Sequence, residues 1–229
     1  MLKKDGVDAV YSALAPMGEA TLDIVVKVHG AASIRDRIRA LAGSTRLRRQ
    51  RLGAQILQRA GIATAAPLAA GISSDDTGRP SEWLALESVP GVSLLEALHH
   101  ATPERATGLA SQLGELIGQM VTGKSPVFNR DQKPSNIIVS TPGELVVVDT
   151  VGVRALAAMP RERAVARMVA SALIEPAGCG VRLPKTFAAN ILAGLAPSFD
   201  PVTLARVAAM VSSILREHGD PTPRINPLG

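Results

Sequence analysis

Apolar positions along the chain switch period several times, and each switch marks an element. Two early runs, "AVYSALA" and "LDIVVKVHG", are rich in β-branched residues and separated by "PMGEAT". They predict a hairpin over residues 9 to 29, with Lys27 inside its second strand. From Ser44 or Thr45, as N-cap, to Gly61, as the glycine past the last turn, "TRLRRQRLGAQILQRAG" has helical spacing that turns Leu52, Ile56 and Ala60 to one side. "SSDDTGRP" at 73 to 80 has turn composition throughout and predicts a loop, followed by a strand in "EWLALESV". "PGVS" interrupts that pattern, and Ser93 is placed to cap a short helix, "LLEALHH". A longer helix is expected from Pro103 to Met120, and three more over 161 to 175, 185 to 195 and 201 to 217. Between them "IIVS" and "LVVV" flank "TPGE", a second hairpin, and "DPTPRINPLG" reads as a loose tail.

This order, a strand-rich half with one prominent helix and then a helical half carrying one hairpin, predicts an α+β chain of two lobes. The break at Val89-Pro90-Gly91 divides residues 1–89 from residues 90–229, with the tail at 219–229. A length of 229 residues is enough for a substantial core, and one Trp, one Tyr and three Phe make that core aliphatic. Cys179 has no partner for an internal disulfide, and His29, His99, His100 and His218 do not have zinc spacing, so a reducing cytoplasm is the expected setting. No uninterrupted apolar run reaches membrane-spanning length, and the N-terminus lacks a secretory pattern. The net charge of +5 is concentrated where Arg35, Arg37, Arg39, Arg46, Arg48, Arg49 and Arg51 accompany Asp36 alone. Such a patch is either a solvated helix face or a surface for phosphate, nucleic acid or an anionic membrane. Specific nucleic-acid binding is not expected, because few aromatics are available for base stacking.

One motif is rejected on context. "GQMVTGKS", Gly118 to Ser125, fits G-x-x-x-x-G-K-[ST] in full, but helical spacing precedes it and Pro126 follows it. A phosphate-cradling loop needs a buried strand before it and a helix after it.

The second hairpin carries the chemistry. With Pro142 and Gly143 at the centre of a type II turn, paired residue numbers sum to 285, which sets Asn136 opposite Asp149. Directly opposed residues lie about 4.5 to 5.5 Å apart at Cα, so a carboxylate and an amide oxygen become neighbours. That pair suits Mg²⁺, which takes oxygen ligands and often only one or two carboxylates beside substrate phosphates. Asp131 lies in the preceding loop, within reach of a hydroxyl nucleophile, and Lys133 can neutralise a transferring phosphoryl group. Taken singly, each has a plain structural alternative: Asp131 as a turn cap, Asn136 as a loop stabiliser, Asp149 as a strand end.

"RDQKPSN" followed by "VVVDT" resembles the catalytic loop and metal-binding segment of the protein-kinase-like superfamily. "VVKV" resembles its lysine-bearing strand, "ILQRAGIATAAPLA" its next helix and exit, and "LALESVPGVSLLEAL" its hinge. "AGIATAAPL" and "PGVSLLEAL" are most similar to the lipopolysaccharide kinase (Kdo/WaaP) group, bacterial kinases that phosphorylate sugars of lipopolysaccharide. The resemblance, over about residues 5 to 195, implies a bilobal fold with ATP between a small antiparallel-sheet lobe and a mainly helical one. It implies that Lys27 contacts the α- and β-phosphates, Asp131 orients the acceptor hydroxyl, and Lys133 approaches the γ-phosphate. Asn136 and Asp149 would hold Mg²⁺, and the backbone from Glu87 to Val89 would meet adenine. The acceptor would be an anionic glycan or lipid-linked sugar, with the arginine patch near it or near a membrane surface. Departures exist: Gln50 stands where a glutamate usually pairs the lysine, Asn129 replaces a histidine, "DTV" replaces Asp-Phe-Gly, and no glycine-rich loop precedes Lys27. These leave open a pseudokinase scaffold and a protein serine/threonine kinase as alternatives to a sugar kinase.

Overall fold

Lys27 lies at the centre of a sheet because the residues around it alternate in the period of a strand. In the computed structural model, which describes residues 3–5, 8–17, 20–30, 45–74, 80–157 and 159–219, β1 (Lys3–Asp5), β2 (Asp8–Met17) and β3 (Ala20–Gly30) pair antiparallel. β4 (Pro67–Ser74) and β5 (Pro80–Glu87) complete a five-stranded sheet of order β1-β2-β3-β5-β4. The register sets Lys27 against Val10 on one side and Leu84 on the other. Opposed residues share a face, so Lys27 emerges on the side that buries Leu84 and, two residues on, Leu86. β4 was not anticipated, because "PLAAGISS" has neither alternation nor β-branched density.

Helix α1 (Arg46–Arg59) covers that face. Thr45 caps it, accepting from the amide of Arg48, and Gly61 follows with φ +74°. The inward face is Leu47, Gln50, Gly53, Ala54 and Leu57, whereas Leu52 is exposed. Of the predicted stripe, Ile56 and Ala60 are half-buried against the large core and Leu52 lies outside it. The close approach described below needs Gly53 inward, and helical geometry then sends Leu52 outward. Leu47 joins Ala65, Leu84 and Leu86 in a small core under the sheet, while Leu57 belongs to the large core of the helical part, so α1 spans both.

β6 (Gly91–Ser93) leads into α2 (Leu94–His99), capped by Ser93, and then α3 (Pro103–Thr122), capped by Thr102. Gly118 to Met120 are inside α3, so the phosphate-loop pattern is helix and cannot wrap a phosphate. β7 (Val127–Asn129) pairs with β10 (Val153–Ala155), and β6, β8 (Ile137–Ser140) and β9 (Leu145–Val147) form a three-stranded sheet. α4 (Arg161–Gly178), α5 (Phe187–Leu195) and α6 (Pro201–His218) close the core around α3, with Leu113, Ile117, Met168 and Ile191 fully buried. The arrangement is α+β and bilobal. No helix among the described residues is long and apolar enough to cross a membrane. Arg35, Asp36, Arg37 and Arg39 of the basic run, Ser44, the centres of the first turn and of the 73–80 loop, and the tail from 220 lie outside the described residues.

The packing of α1 gives a direct test. A Cβ at Gly53 would collide with the carbonyl oxygen of Thr150, which is backbone and cannot yield. Gly53→Ala is expected to cost about 1 to 3 kcal/mol in urea unfolding. Gly108→Ala, in helix α3 with nothing near its Cβ position, is expected to gain about 0.5 to 1 kcal/mol. Equal stability for Gly53→Ala and the wild type would mean that α1 is not seated on Thr150.

Candidate active site

Gln50 links the sheet to the second hairpin. Its Oε1 accepts from Lys27 Nζ at 3.2 Å, and its Nε2 donates to the carbonyl of Val148, also at 3.2 Å. Its own backbone carbonyl accepts from Thr150 Oγ1 at 2.5 Å. Only 2% of Gln50 is exposed, so each of these groups would be costly to leave unpaired. A glutamate could accept from Lys27 but, ionised, would set a second oxygen against the Val148 carbonyl. The amide supplies one acceptor and one donor where one of each is needed. What seemed a lost carboxylate is thus a different solution for holding the same lysine.

The hairpin register differs from expectation by one residue. Ile137 pairs with Val147 and Val139 with Leu145, so paired numbers sum to 284. The reason is a three-residue loop: Ser140 bonds Glu144 across it, and Gly143, with φ +93°, closes it. Asn136 therefore faces Val148, whose amide donates to the Asn136 carbonyl at 2.9 Å, and Asp149 is the next residue along. The two groups come from neighbouring positions at the open end of the hairpin, not from a directly opposed pair.

The loop before the hairpin is built from its own amides. Asn136 Nδ2 donates to the carbonyl of Asp131 at 3.0 Å, which leaves the Asn136 amide oxygen available as an acceptor or ligand. Lys133 Nζ is 3.7 Å from Asp131 Oδ1. Asn129, fully buried, accepts from the Asp131 amide at 3.1 Å and donates to Gln132 Oε1 at 2.8 Å, so an amide pair supports the loop where a histidine was expected. Ser135 donates twice to Glu175 of α4, from its amide at 2.8 Å and its hydroxyl at 2.6 Å. That clamp fixes the 3₁₀ turn Pro134–Asn136 between Lys133 and the hairpin. Gln132 and Glu175 went unnoticed in the sequence; a glutamate 40 residues from its partner leaves no local signal.

Asp149 accepts from the amide of Val151 at 3.3 Å, and its other oxygen is 3.8 Å from an Arg46 guanidinium nitrogen. Arg46 is thus drawn from the basic run to the site. Burial pushes the Lys27 amine below its ordinary pKa; the charge of Asp149 partly offsets this, and that of Arg46 adds to it. Gly152 matters through close approach: a Cβ there would lie 2.7 Å from Asn129 Oδ1 and 2.9 Å from the Asp131 amide nitrogen. At the hinge, the Glu87 amide is taken by the Ala66 carbonyl at 2.9 Å and the Ser88 amide by the Asp23 carbonyl at 3.0 Å. Neither of these two amides is left to meet an adenine there. Among the described residues no three Asp, Glu, His or Cys side chains converge as metal ligands, so a cation would need further oxygens from its substrate.

No family model and no curated protein matches the sequence. Among solved structures the chain is similar to WaaP in complex with acyl carrier protein, with a TM-score of 0.59 over 94% of this chain and 85% of that one, at 17% identity. In all 1647 solved chains match, so the scaffold is populous and selects no substrate by itself. The likeness establishes the kinase-like fold.

Lys27 yields a prediction with a definite sign. A lysine whose folded pKa is below its unfolded value opposes folding while charged, fully at pH below the folded pKa, and ceases to do so as pH approaches the ordinary 10.5. Urea unfolding should therefore find the wild type gaining stability relative to Lys27→Met as pH rises from neutrality toward 10.5. A stability difference independent of pH would contradict a buried, charged Lys27.

Proposed function

We propose that this chain is a phosphotransferase that moves the γ-phosphoryl group of ATP, with Mg²⁺, to a hydroxyl of a glycan or lipid-linked sugar. The observation that carries the proposal is the bonding of the 131–149 segment. Asn136 ties to the Asp131 carbonyl, Val148 ties to the Asn136 carbonyl, and Lys133 pairs with Asp131, so a carboxylate, an amine, an amide oxygen and a second carboxylate are held on adjoining strands and loop. Phosphoryl transfer asks little covalent chemistry of a protein; it requires positioning and charge stabilisation, and those four groups supply both.

In this reading Lys27, held by Gln50, draws the α- and β-phosphates into the cleft. Asp131 receives the proton of the acceptor hydroxyl as the new oxygen–phosphorus bond forms and the bond to the β-phosphate oxygen breaks, releasing ADP. Lys133 offsets charge on the transferring group. Asn136 Oδ1 and the Asp149 carboxylate suit Mg²⁺, being hard oxygen donors with capacity to spare beyond their own bonds. The ion when bound would neutralise phosphate charge. The acceptor class follows from the resemblance in "AGIATAAPL" and "PGVSLLEAL". It is supported by the short connection from Asp149 to α4 at Arg161, which leaves little chain to dock a peptide substrate.

The test is transfer of labelled γ-phosphate to a panel of sugar acceptors by wild type and Asp131→Asn. The variant should still bind nucleotide and lose about 100-fold or more in turnover. Undiminished turnover in the variant would remove Asp131 from the role of base.

A further inference from the structure

Behind the Asp131 loop, between β7, β10 and the start of α4, lies a cavity of about 540 Å³. Of its eleven described lining residues four are arginines, Arg130, Arg154, Arg163 and Arg167, and none is acidic. Arg163 and Arg167 are one helical turn apart, an arrangement in which like charges repel. Arg154 is oriented by donating Nη1 to the carbonyls of Val151 at 3.1 Å and Val153 at 2.6 Å, with further donors left over. Among the described residues none of the four makes an ion pair.

A second, independent feature of this wall points the same way. α4 is 18 residues long, and its N-cap is Pro160, which has no side chain able to cap the first amides. Pro160 lines the cavity beside the arginines, so the positive end of the helix faces it; Glu162 in the first turn offsets part of that charge but does not line the cavity. Guanidinium groups offer paired donors that match tetrahedral oxyanions, and an uncapped helix start offers more.

The cavity also shares a wall with the loop of the proposed base. Gly152 is in its wall, and the Cβ position of Gly152 is 3.1 Å from Asp131 Cβ. Arg130 precedes Asp131 and bonds through its amide to the Gly152 carbonyl at 3.2 Å.

We propose that this cavity is an oxyanion site that binds a phosphate or phosphomonoester group, and that the group is carried by the acceptor whose hydroxyl is presented to Asp131. The identity of the anion as part of the acceptor rests on the function proposed above; the binding site itself does not.

The experiment uses the full chain without nucleotide. Inorganic phosphate and glucose 6-phosphate are titrated by calorimetry against chloride at matched ionic strength, for wild type and the double variant Arg163→Gln, Arg167→Gln. These arginines are exposed, and circular dichroism checks that the double variant is folded. Saturable binding of both ligands by the wild type, weakened at least tenfold in the double variant, is the expected result. Binding that chloride competes away equally, or that is unchanged in the double variant, would overturn the site. A second arm adds ATP and Mg²⁺ and follows the sugar phosphate by mass. Its phosphorylation, with KM raised in the double variant and kcat largely kept, assigns the anion to the acceptor. Transfer to an unphosphorylated sugar offered beside it, with the bound sugar phosphate left unmodified, would overturn that assignment while retaining the site. Failure of all transfer with binding intact would count against the proposed function alone.

Discussion

The carboxamide of Gln50 is the interaction on which the site depends. It is buried, and it faces a lysine on one side and a backbone carbonyl on the other. An amide satisfies both with one acceptor and one donor, and so ties the sheet that carries Lys27 to the strand end that carries Asp149. The linkage is neutral, which spares the site a second buried charge. Among the described residues it leaves Lys27 without a bonded anion, so desolvation dominates its protonation, partly offset by Asp149.

Around this linkage the segment from Asp149 to Gly152 is gripped from two sides. Gly53 lets α1 come against the Thr150 carbonyl, and Gly152 lets the segment come against Asn129 and Asp131. Thr150 adds its hydroxyl bond to the Gln50 carbonyl. Two missing side chains thus allow helix, strand end and loop to meet at one place, and close packing of this kind is what holds reacting groups in register. The outer side of the same segment forms the wall of the arginine-lined cavity.

Much of this was legible because local chemistry agreed with the final structure. Thr45 and Ser93 cap helices that begin at the next residue, and the β2–β3 hairpin follows its β-branched alternation. Asp131, Lys133, Asn136 and Asp149 stand out by order and spacing and Lys27 by the resemblance of "VVKV", and hydrogen bonds tie Lys27 to Gln50 and Asn136 to Asp131. What was missed depended on contacts distant in sequence. The centre of the buried face of α1 is set by Gly53 meeting Thr150, nearly a hundred residues later, and of the stripe read from hydrophobic spacing Leu52 falls outside it. The hairpin slipped by one residue because Gly143 closes a three-residue loop, which "TPGE" does not distinguish from a two-residue one. Gln50 was noted as a substitution, but its second bond, to Val148, has no trace in the sequence.

The proposed phosphotransfer requires that Asp149 and the groups around it bind nucleotide through a divalent cation. Thermal unfolding of the wild type with ATP, in the presence of Mg²⁺ and then of EDTA, beside the Asp149→Asn variant, measures this without knowledge of the acceptor. A ligand that binds only the folded state adds about 2 to 3 kcal/mol at roughly 100 times its Kd. The predicted result is a rise in melting temperature with ATP that requires Mg²⁺ and is lost in Asp149→Asn. A wild type whose melting temperature is the same with and without Mg²⁺-ATP would contradict the account.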